Sequence, residues 1–288
     1  MICFGTGGWR AEIGKDFYIG NIRLIAQALA NSLKNDGKQD KPVVVGYDRR
    51  FLSAQAATWV AEVLAANGIP VLFMRRSVPT PLVMYIVKER GLHYGIEITA
   101  SHNPSNYNGV KVIVDEGRDA PIAVTEMLER ETAAAGEPLV LPMDQAIEAG
   151  VVSYLENPFN PFIDNVLAVL DTEAIRARGP RILFDSMHGS SSYPLNVIFH
   201  TTRCTVDQIH GNRDAYFGGL MPAPNECTMS ELQTLVVQGG YDLGIAVDGD
   251  GDRLGVIDGT GQYISANEIL VLLYYYLHEY KGWKGPVV

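Results

Sequence analysis

The sequence predicts an α/β protein of two consecutive domains, each with a mostly parallel mixed sheet covered by helices. Three observations carry that prediction. Short apolar runs of strand length alternate with longer segments whose apolar residues recur at helical spacing, the pattern of parallel strands joined by helices. The alternation lapses between Gly136-Glu137-Pro138 and Asn157-Pro158 and then restarts, which puts a domain boundary near residue 155. The length of 288 residues gives each half enough chain for its own core.

In chain order, Ile22, Ile25, Ala26, Leu29 and Leu33 mark a helix over 22–33, and the run Pro42-Val43-Val44-Val45-Gly46-Tyr47-Asp48 reads as a buried strand. Ser53 is placed to cap a helix that runs to Asn67. Next come a strand over 69–74, a helix over 79–90 and a strand over 94–99. A strand over 110–114 follows, with Lys111 at its start, then a helix over 121–135 entered through proline. Beyond the boundary the order is a helix over 159–170, a strand over 181–185, a turn at 187–191 into another helix, and a strand over 203–209. A Gly/Pro loop over 211–225 leads to a helix over 229–238 and strands over 242–247 and 254–258. A helix over 266–280 carries Leu270, Leu273, Leu277 and three tyrosines, and Pro286-Val287-Val288 reads as a further strand beginning.

Composition narrows the function classes. The formal charge of −10 disfavours a broad nucleic-acid surface and leaves room only for a local cluster of arginines on a small phosphate. No uncharged apolar run is long enough for a bilayer, and the opening residues lack the basic-then-apolar pattern of a secretory signal, so the expected location is cytoplasmic. Cys3, Cys204 and Cys227 are odd in number and widely spaced, which predicts free thiols.

Two loops carry the chemistry, and each follows a predicted strand, where ligands bind in open α/β sheets. The second is Asp248-Gly249-Asp250-Gly251-Asp252-Arg253, three carboxylates that repel one another unless a cation compensates. Oxygen ligands suit Mg²⁺, Mn²⁺ or Ca²⁺. An EF-hand is excluded by Arg253 at its sixth position and Gly259 at its twelfth. A metal site is preferred over a solvated acidic hairpin because a buried strand feeds the loop.

The first loop, Thr99-Ala100-Ser101-His102-Asn103-Pro104, offers a hydroxyl and an imidazole. Adjacent residues of an extended loop point in opposite directions and no Gly-x-Ser-x-Gly elbow surrounds the serine, which argues against a hydrolytic triad. Two readings stay open for Ser101. It caps a turn, or it carries a phosphoryl group whose roughly −1.5 to −2 charges complete a metal shell and pair with Arg10 and Arg253. Arg10 itself ends the glycine-dense opening Phe4-Gly5-Thr6-Gly7-Gly8-Trp9, read as a loop with no strand before it that lets backbone approach a ligand.

Taken together, FGTGGWR at 4–10, TASHNPSNYNGVK at 99–111 and DGDGDR at 248–253 resemble the α-D-phosphohexomutase superfamily, the phosphoglucomutases and phosphomannomutases. The resemblance implies a reversible phosphoryl transfer between the 1- and 6-positions of a hexose phosphate through a phosphoserine and a hexose 1,6-bisphosphate. By motif position Ser101 would carry the phosphoryl group, and Asp248, Asp250 and Asp252 would hold one Mg²⁺ together with a phosphate oxygen on Ser101. Arg253 would contact the phosphoserine, Lys111 would be a general acid or base, and Arg10 and His102 would support the transferring group. Ala11 stands where many members have glycine. Asp48 and Arg50 are read as an ion pair, and His93, His188 and His210 receive no role.

The resemblance further implies domains at 1–155, 156–262 and the start of a third at 263–288. No counterpart of the family's sugar-specificity loop or C-terminal phosphate-binding loop is present. The chain is therefore read as the N-terminal portion of such an enzyme, with full turnover not expected from it alone. The implied partner is a small sugar phosphate, glucose or mannose phosphate or an amino sugar, with no nucleic acid and no membrane; oligomeric state is left open. Two alternatives are a non-catalytic phosphate- and metal-binding module and a phosphatase with a phosphoserine intermediate.

Overall fold

The computed structural model describes residues 2–5 and 7–286, so Thr6 of the glycine-dense opening and Val287 and Val288 of the expected last strand lie outside the described residues. The first half begins with β1 (Gly8–Glu12), α1 (Ile19–Asn35), β2 (Val43–Tyr47) and α2 (Ser53–Ala66). It continues through β3 (Val71–Phe73), α3 (Thr80–Glu89), β4 (Tyr94–Ile98) and β5 (Tyr107–Val114). The two-residue β6 (Arg118–Asp119), α4 (Ile122–Ala134), α5 (Met143–Glu148) and β7 (Val152–Tyr154) complete it. The seven strands form one sheet in the order β1-β5-β4-β2-β3-β7, with β6 on β5.

The second half holds α6 (Phe159–Val169), α7 (Thr172–Arg178), β8 (Arg181–Asp185), α8 (Ser192–Thr201) and β9 (Thr205–Ile209). After the Gly/Pro loop come α9 (Ser230–Gly239), β10 (Leu243–Val247), β11 (Leu254–Asp258), β12 (Tyr263–Ile264) and α10 (Ala266–Tyr275). Its five strands run β12-β11-β10-β8-β9. Both sheets are mixed: β4-β2-β3-β7 and β10-β8-β9 pair in parallel, and the strands beyond β4 and beyond β10 pair antiparallel. The antiparallel edges are the hairpin-like returns that follow the two chemistry-bearing loops.

Local physics explains the elements. Val43, Val44 and Val45 are buried, as a central parallel strand covered on both faces requires. The helical stripe of α1, Ile22 to Leu33, is buried against α2 and α4. Two apolar clusters lie on the faces of the first sheet, and the one containing Val78, Leu82 and Ile86 of the α3 side also takes in Phe159, Ile163 and Ile198 of α6 and α8. Each such side chain contributes about 2 kcal/mol of burial free energy, so the halves are joined by shared core rather than by a bare linker.

Several expectations are corrected. The glycine-dense opening is not all loop: Gly8–Glu12 is an edge strand, because Gly8 lies so close to β5 that a Cβ there would come within 2.6 Å of the Val110 carbonyl oxygen. Lys111 is not at the start of its strand but in the middle of β5. Ser53 caps nothing; its Oγ donates to Asp48 Oδ1 at 2.6 Å, and α2 is entered through Leu52 with a left-handed φ of 64°. The irregular stretch before residue 155 contains α5 and β7, and β7 adds to the first sheet beside β3.

The three cysteines are free thiols, and Asp48 and Arg50 form the expected ion pair at 3.2 Å. Among the described residues no helix is long and apolar enough to cross a membrane. On α10, entered through a Ser265–Glu268 capping box, Leu270 to Leu273 and Tyr274 and Tyr275 are exposed.

Candidate active site

β4 and β10 end facing one another, and the loops that leave them meet. Ser101, only 2% exposed, has a left-handed φ of 52° that turns its side chain out of the strand direction. Its Oγ donates to Asp248 Oδ2 at 2.9 Å, and Asp252 Oδ1 lies 3.5 Å away. The same backbone turn brings Ser101 Oγ to 3.5 Å from His102 Nδ1, closer than an extended loop predicts.

The carboxylate loop is held from both halves. Asp248 Oδ1 accepts the backbone N–H groups of Asp252 and Arg253 at 2.9 and 3.0 Å, which curls the loop around that side chain. Asp250 Oδ2 accepts from Thr80 Oγ1 at 2.7 Å, and its backbone carbonyl accepts the Thr80 N–H at 2.8 Å, so the start of α3 grips this residue. Asp252 Oδ2 accepts from Lys111 Nζ at 2.7 Å, and Lys111 also lies 3.4 Å from Asp119. Gly251 permits the tight turn with φ at 74°; a Cβ there would sit 1.8 Å from Ser191 Oγ.

This clustering perturbs the titrating groups. Burial, then the Asp250 and Asp252 charges, push the Asp248 carboxyl up to about 9. For Asp252 burial acts upward, but the charge and hydrogen bond of Lys111, the Arg253 charge and a hydrogen bond with Asp248 together leave the carboxyl below its ordinary value. Burial pulls Lys111 down, and the Asp250 and Asp252 carboxylates more than reverse this, leaving it above its ordinary value. His102 is lowered by burial first and then by the Arg253 and Arg10 charges. Among the described residues neither guanidinium is hydrogen-bonded to Ser101; Arg253 closes the carboxylate loop with its backbone N–H on Asp248 Oδ1, and Arg10 stands on edge strand β1 opposite Gly109.

The residues present fit a hard divalent cation. One oxygen from each of Asp248, Asp250 and Asp252 falls within 4.8 Å of the others, and Asp250 Oδ1 is buried without a hydrogen-bond partner. An orphaned carboxylate oxygen at the centre of an acidic cluster is what oxygen-ligated Mg²⁺ would satisfy.

Three participants escaped the sequence reading. Arg50, fully buried, fans its terminal nitrogens onto four carbonyl oxygens of the serine loop: Ser101, Asn103, Pro104 and Tyr107, at 2.5 to 3.1 Å. Thr80 gave no signal, since its role depends on a contact 170 residues away. Glu97 did give one, a lone acidic residue inside a buried strand. It stands opposite Lys111 in the β4–β5 register, fully buried, with both carboxyl oxygens unpartnered. Burial, then the Asp48 and Asp250 charges, push it well above the usual carboxylate range. His188 and His210 take structural places: their rings pack at 4.9 Å and His210 Nδ1 meets Asp185 at 3.1 Å.

Comparison with known proteins places this arrangement. Residues 1–138 match the family model described as phosphoglucomutase/phosphomannomutase, alpha/beta/alpha domain I, and residues 160–261 match that of domain II. A "Probable phosphoglucosamine mutase" of Methanothermobacter thermautotrophicus is 33% identical over 94% of this chain and 57% of its own length. A phosphoglucomutase/phosphomannomutase of Thermococcus kodakarensis is 29% identical over 94% of this chain and 58% of its own length. Among solved structures, a "putative phosphomannomutase" of Thermus thermophilus superposes with a TM-score of 0.88 at 27% identity, covering 99% of this chain and 63% of that one. The chain thus spans just over half the length of the curated relatives it matches. With two consecutive domain models matched in order and the three motif stretches inside them, the chain belongs to the phosphoglucomutase/phosphomannomutase family.

Proposed function

We propose that this chain supplies the phosphoryl-carrying serine and the metal loop of a phosphohexomutase. The enzyme would move a phosphoryl group between the 1- and 6-positions of a hexose phosphate through a phosphoserine and a hexose 1,6-bisphosphate. The observation that carries the reading is the placement of Ser101 Oγ 2.9 Å from Asp248 Oδ2, inside the three-carboxylate cluster. In one half-reaction the bond between phosphorus and a bisphosphate oxygen breaks and a bond to Ser101 Oγ forms; the serine proton passes to the departing hexose oxygen. The other half-reaction reverses it on the other hydroxyl.

Each residue has a place in this scheme. Asp248, Asp250 and Asp252 would hold Mg²⁺, which when bound supplies positive charge next to the phosphoryl oxygens. Lys111, anchored by Asp252 and Asp119, brings an ammonium group and a transferable proton at Nζ. Arg10 and Arg253 would bring guanidinium charge to the phosphoryl oxygens, and His102, lowered by burial and by those two charges, would offer its imidazole as a hydrogen-bonding group. The substrate range proposed is glucose and mannose phosphates, with an amino sugar phosphate included because a relative carries that name. The division near residue 155, a third domain beginning at residue 263, and a cytoplasmic location belong to the same proposal.

Phosphorus NMR of the chain with Mg²⁺ and glucose 1,6-bisphosphate tests it. A new phosphoserine resonance with an equal amount of hexose monophosphate supports transfer. Steady release of inorganic phosphate favours the phosphatase, and no change in either signal argues for a non-catalytic module.

A further inference from the structure

The Gly/Pro loop between β9 and α9 comes back to the serine loop through a single ring. Phe217 is 3% exposed and holds a left-handed φ of 53°, followed by Gly218 and Gly219 at 64° and 79°. A bulky residue in that region is uncommon and persists only when its surroundings over-determine it. Here they do: Asp214 accepts the N–H groups of Tyr216 and Gly218 at 2.9 and 3.0 Å, and the Phe217 N–H donates to the Asp214 carbonyl at 3.1 Å.

The ring that this turn presents covers Arg50, whose Cζ lies 4.8 Å from the ring centroid. Its edge also abuts Gly249 of the carboxylate loop. A Cβ at Gly249 would lie 3.5 Å from Phe217 Cε1 and 3.1 Å from the Ser101 carbonyl oxygen, so three segments meet closely at this glycine. Arg50 is simultaneously bonded to that Ser101 carbonyl. At the loop's other end Arg213 donates to the carbonyls of Arg49 and Arg50 at 3.2 and 3.4 Å.

We infer that Phe217 and Arg50 form a latch that sets the serine loop against the carboxylate loop, with Phe217 a positioning residue that acts through Arg50 and Gly249. The ring comes from the second half of the chain and the guanidinium from the first. A buried guanidinium over an aromatic face is held in place by the ring quadrupole as well as by packing. Removal of the ring frees Arg50 to leave its carbonyls, and the serine loop then loses its register with Asp248 while the sheets persist.

The inference rests on the phosphotransfer reading only for its second readout. The first is amide hydrogen exchange on the whole chain with Phe217→Leu, which keeps an apolar side chain and removes the π face. The latch predicts that the amides of Ser101, Asn103 and Tyr107 exchange about tenfold faster while those of Val44 and Val45 in β2 are unchanged. Unchanged loop amides, or equal acceleration in β2, would overturn it, the latter by making Phe217 a general core residue. Arg50→Lys, which retains the charge but not the fan of donors, should give the same local loss. The second readout is phosphoryl uptake at Ser101 from glucose 1,6-bisphosphate, predicted to slow in Phe217→Leu by a similar factor with Mg²⁺ affinity retained. No uptake in the unmodified chain counts against the mutase proposal and leaves the exchange result to decide the latch; normal uptake in Phe217→Leu counts against the latch alone.

Discussion

Ser101 and Asp248 are 147 residues apart in sequence and 2.9 Å apart at Oγ and Oδ2. The hydroxyl donates to a carboxyl that burial and two neighbouring aspartates have pushed up to about 9. A phosphoryl group on Ser101 would add negative charge beside the three aspartates, and a divalent ion held by them would offset that charge together with their own repulsion.

The first prediction concerns the ion. Asp250→Asn removes a ligand charge, and Thr80→Val removes the hydroxyl that orients Asp250. Groups that orient metal ligands typically govern affinity by about 10- to 100-fold. Calorimetric titration with Mg²⁺ should therefore show at least about tenfold weaker binding for Thr80→Val and a larger loss for Asp250→Asn. Equal affinity in all three proteins would place the ion elsewhere.

A second prediction follows from Glu97, whose folded-state carboxyl is raised by burial and by the Asp48 and Asp250 charges. A raised carboxyl contributes stability that is complete below its unfolded-state value and is lost as pH climbs toward the folded-state value. Glu97→Met should hence raise the urea midpoint clearly at about pH 8 and change it little at about pH 4. A variant destabilised most at high pH would mean that an ionised Glu97 has a partner.

Gly251 tests the backbone of the carboxylate loop. Its φ of 74° and the 1.8 Å approach of a Cβ to Ser191 Oγ predict that Gly251→Ala destabilises the metal-free chain. The expected loss is about 1–3 kcal/mol in urea unfolding. Wild-type stability would show that Ser191 and the loop move aside without cost.

Lys111 Nζ donates to Asp252 Oδ2 of the metal loop at 2.7 Å. Lys111→Met should slow phosphoryl uptake at Ser101 by about 10²- to 10⁴-fold, measured by quenched-flow mass analysis, with Lys111→Arg intermediate. A rate within about twofold of wild type would reduce Lys111 to a structural partner of Asp252.

Much of this is legible in the chain itself, for identifiable reasons. The two loops announce themselves because each follows a buried strand, one packing three carboxylates into five residues and the other setting a hydroxyl beside an imidazole in a turn-forming stretch. β1, α5 and β7 escape because glycine-rich or mixed segments have no clear period, and their pairing is decided by partners far along the chain. Lys111 moves from strand start to strand middle because Tyr107, Asn108 and Gly109 read as turn residues yet pair with β1. The fan of Arg50 and the ring of Phe217 are long-range contacts with no local signature. Glu97 is the exception: an acidic residue between Ile96 and Ile98 is a visible anomaly in a buried strand, although its meaning depends on Asp48 and Asp250 nearby in space.

The central claim is that Ser101 accepts a phosphoryl group. Intact-mass measurement after incubation with Mg²⁺ and glucose 1,6-bisphosphate tests it directly, with Ser101→Ala alongside. One phosphoryl increment on the wild-type chain and none on Ser101→Ala is the predicted result; no increment on either, or the same increment on both, would contradict it.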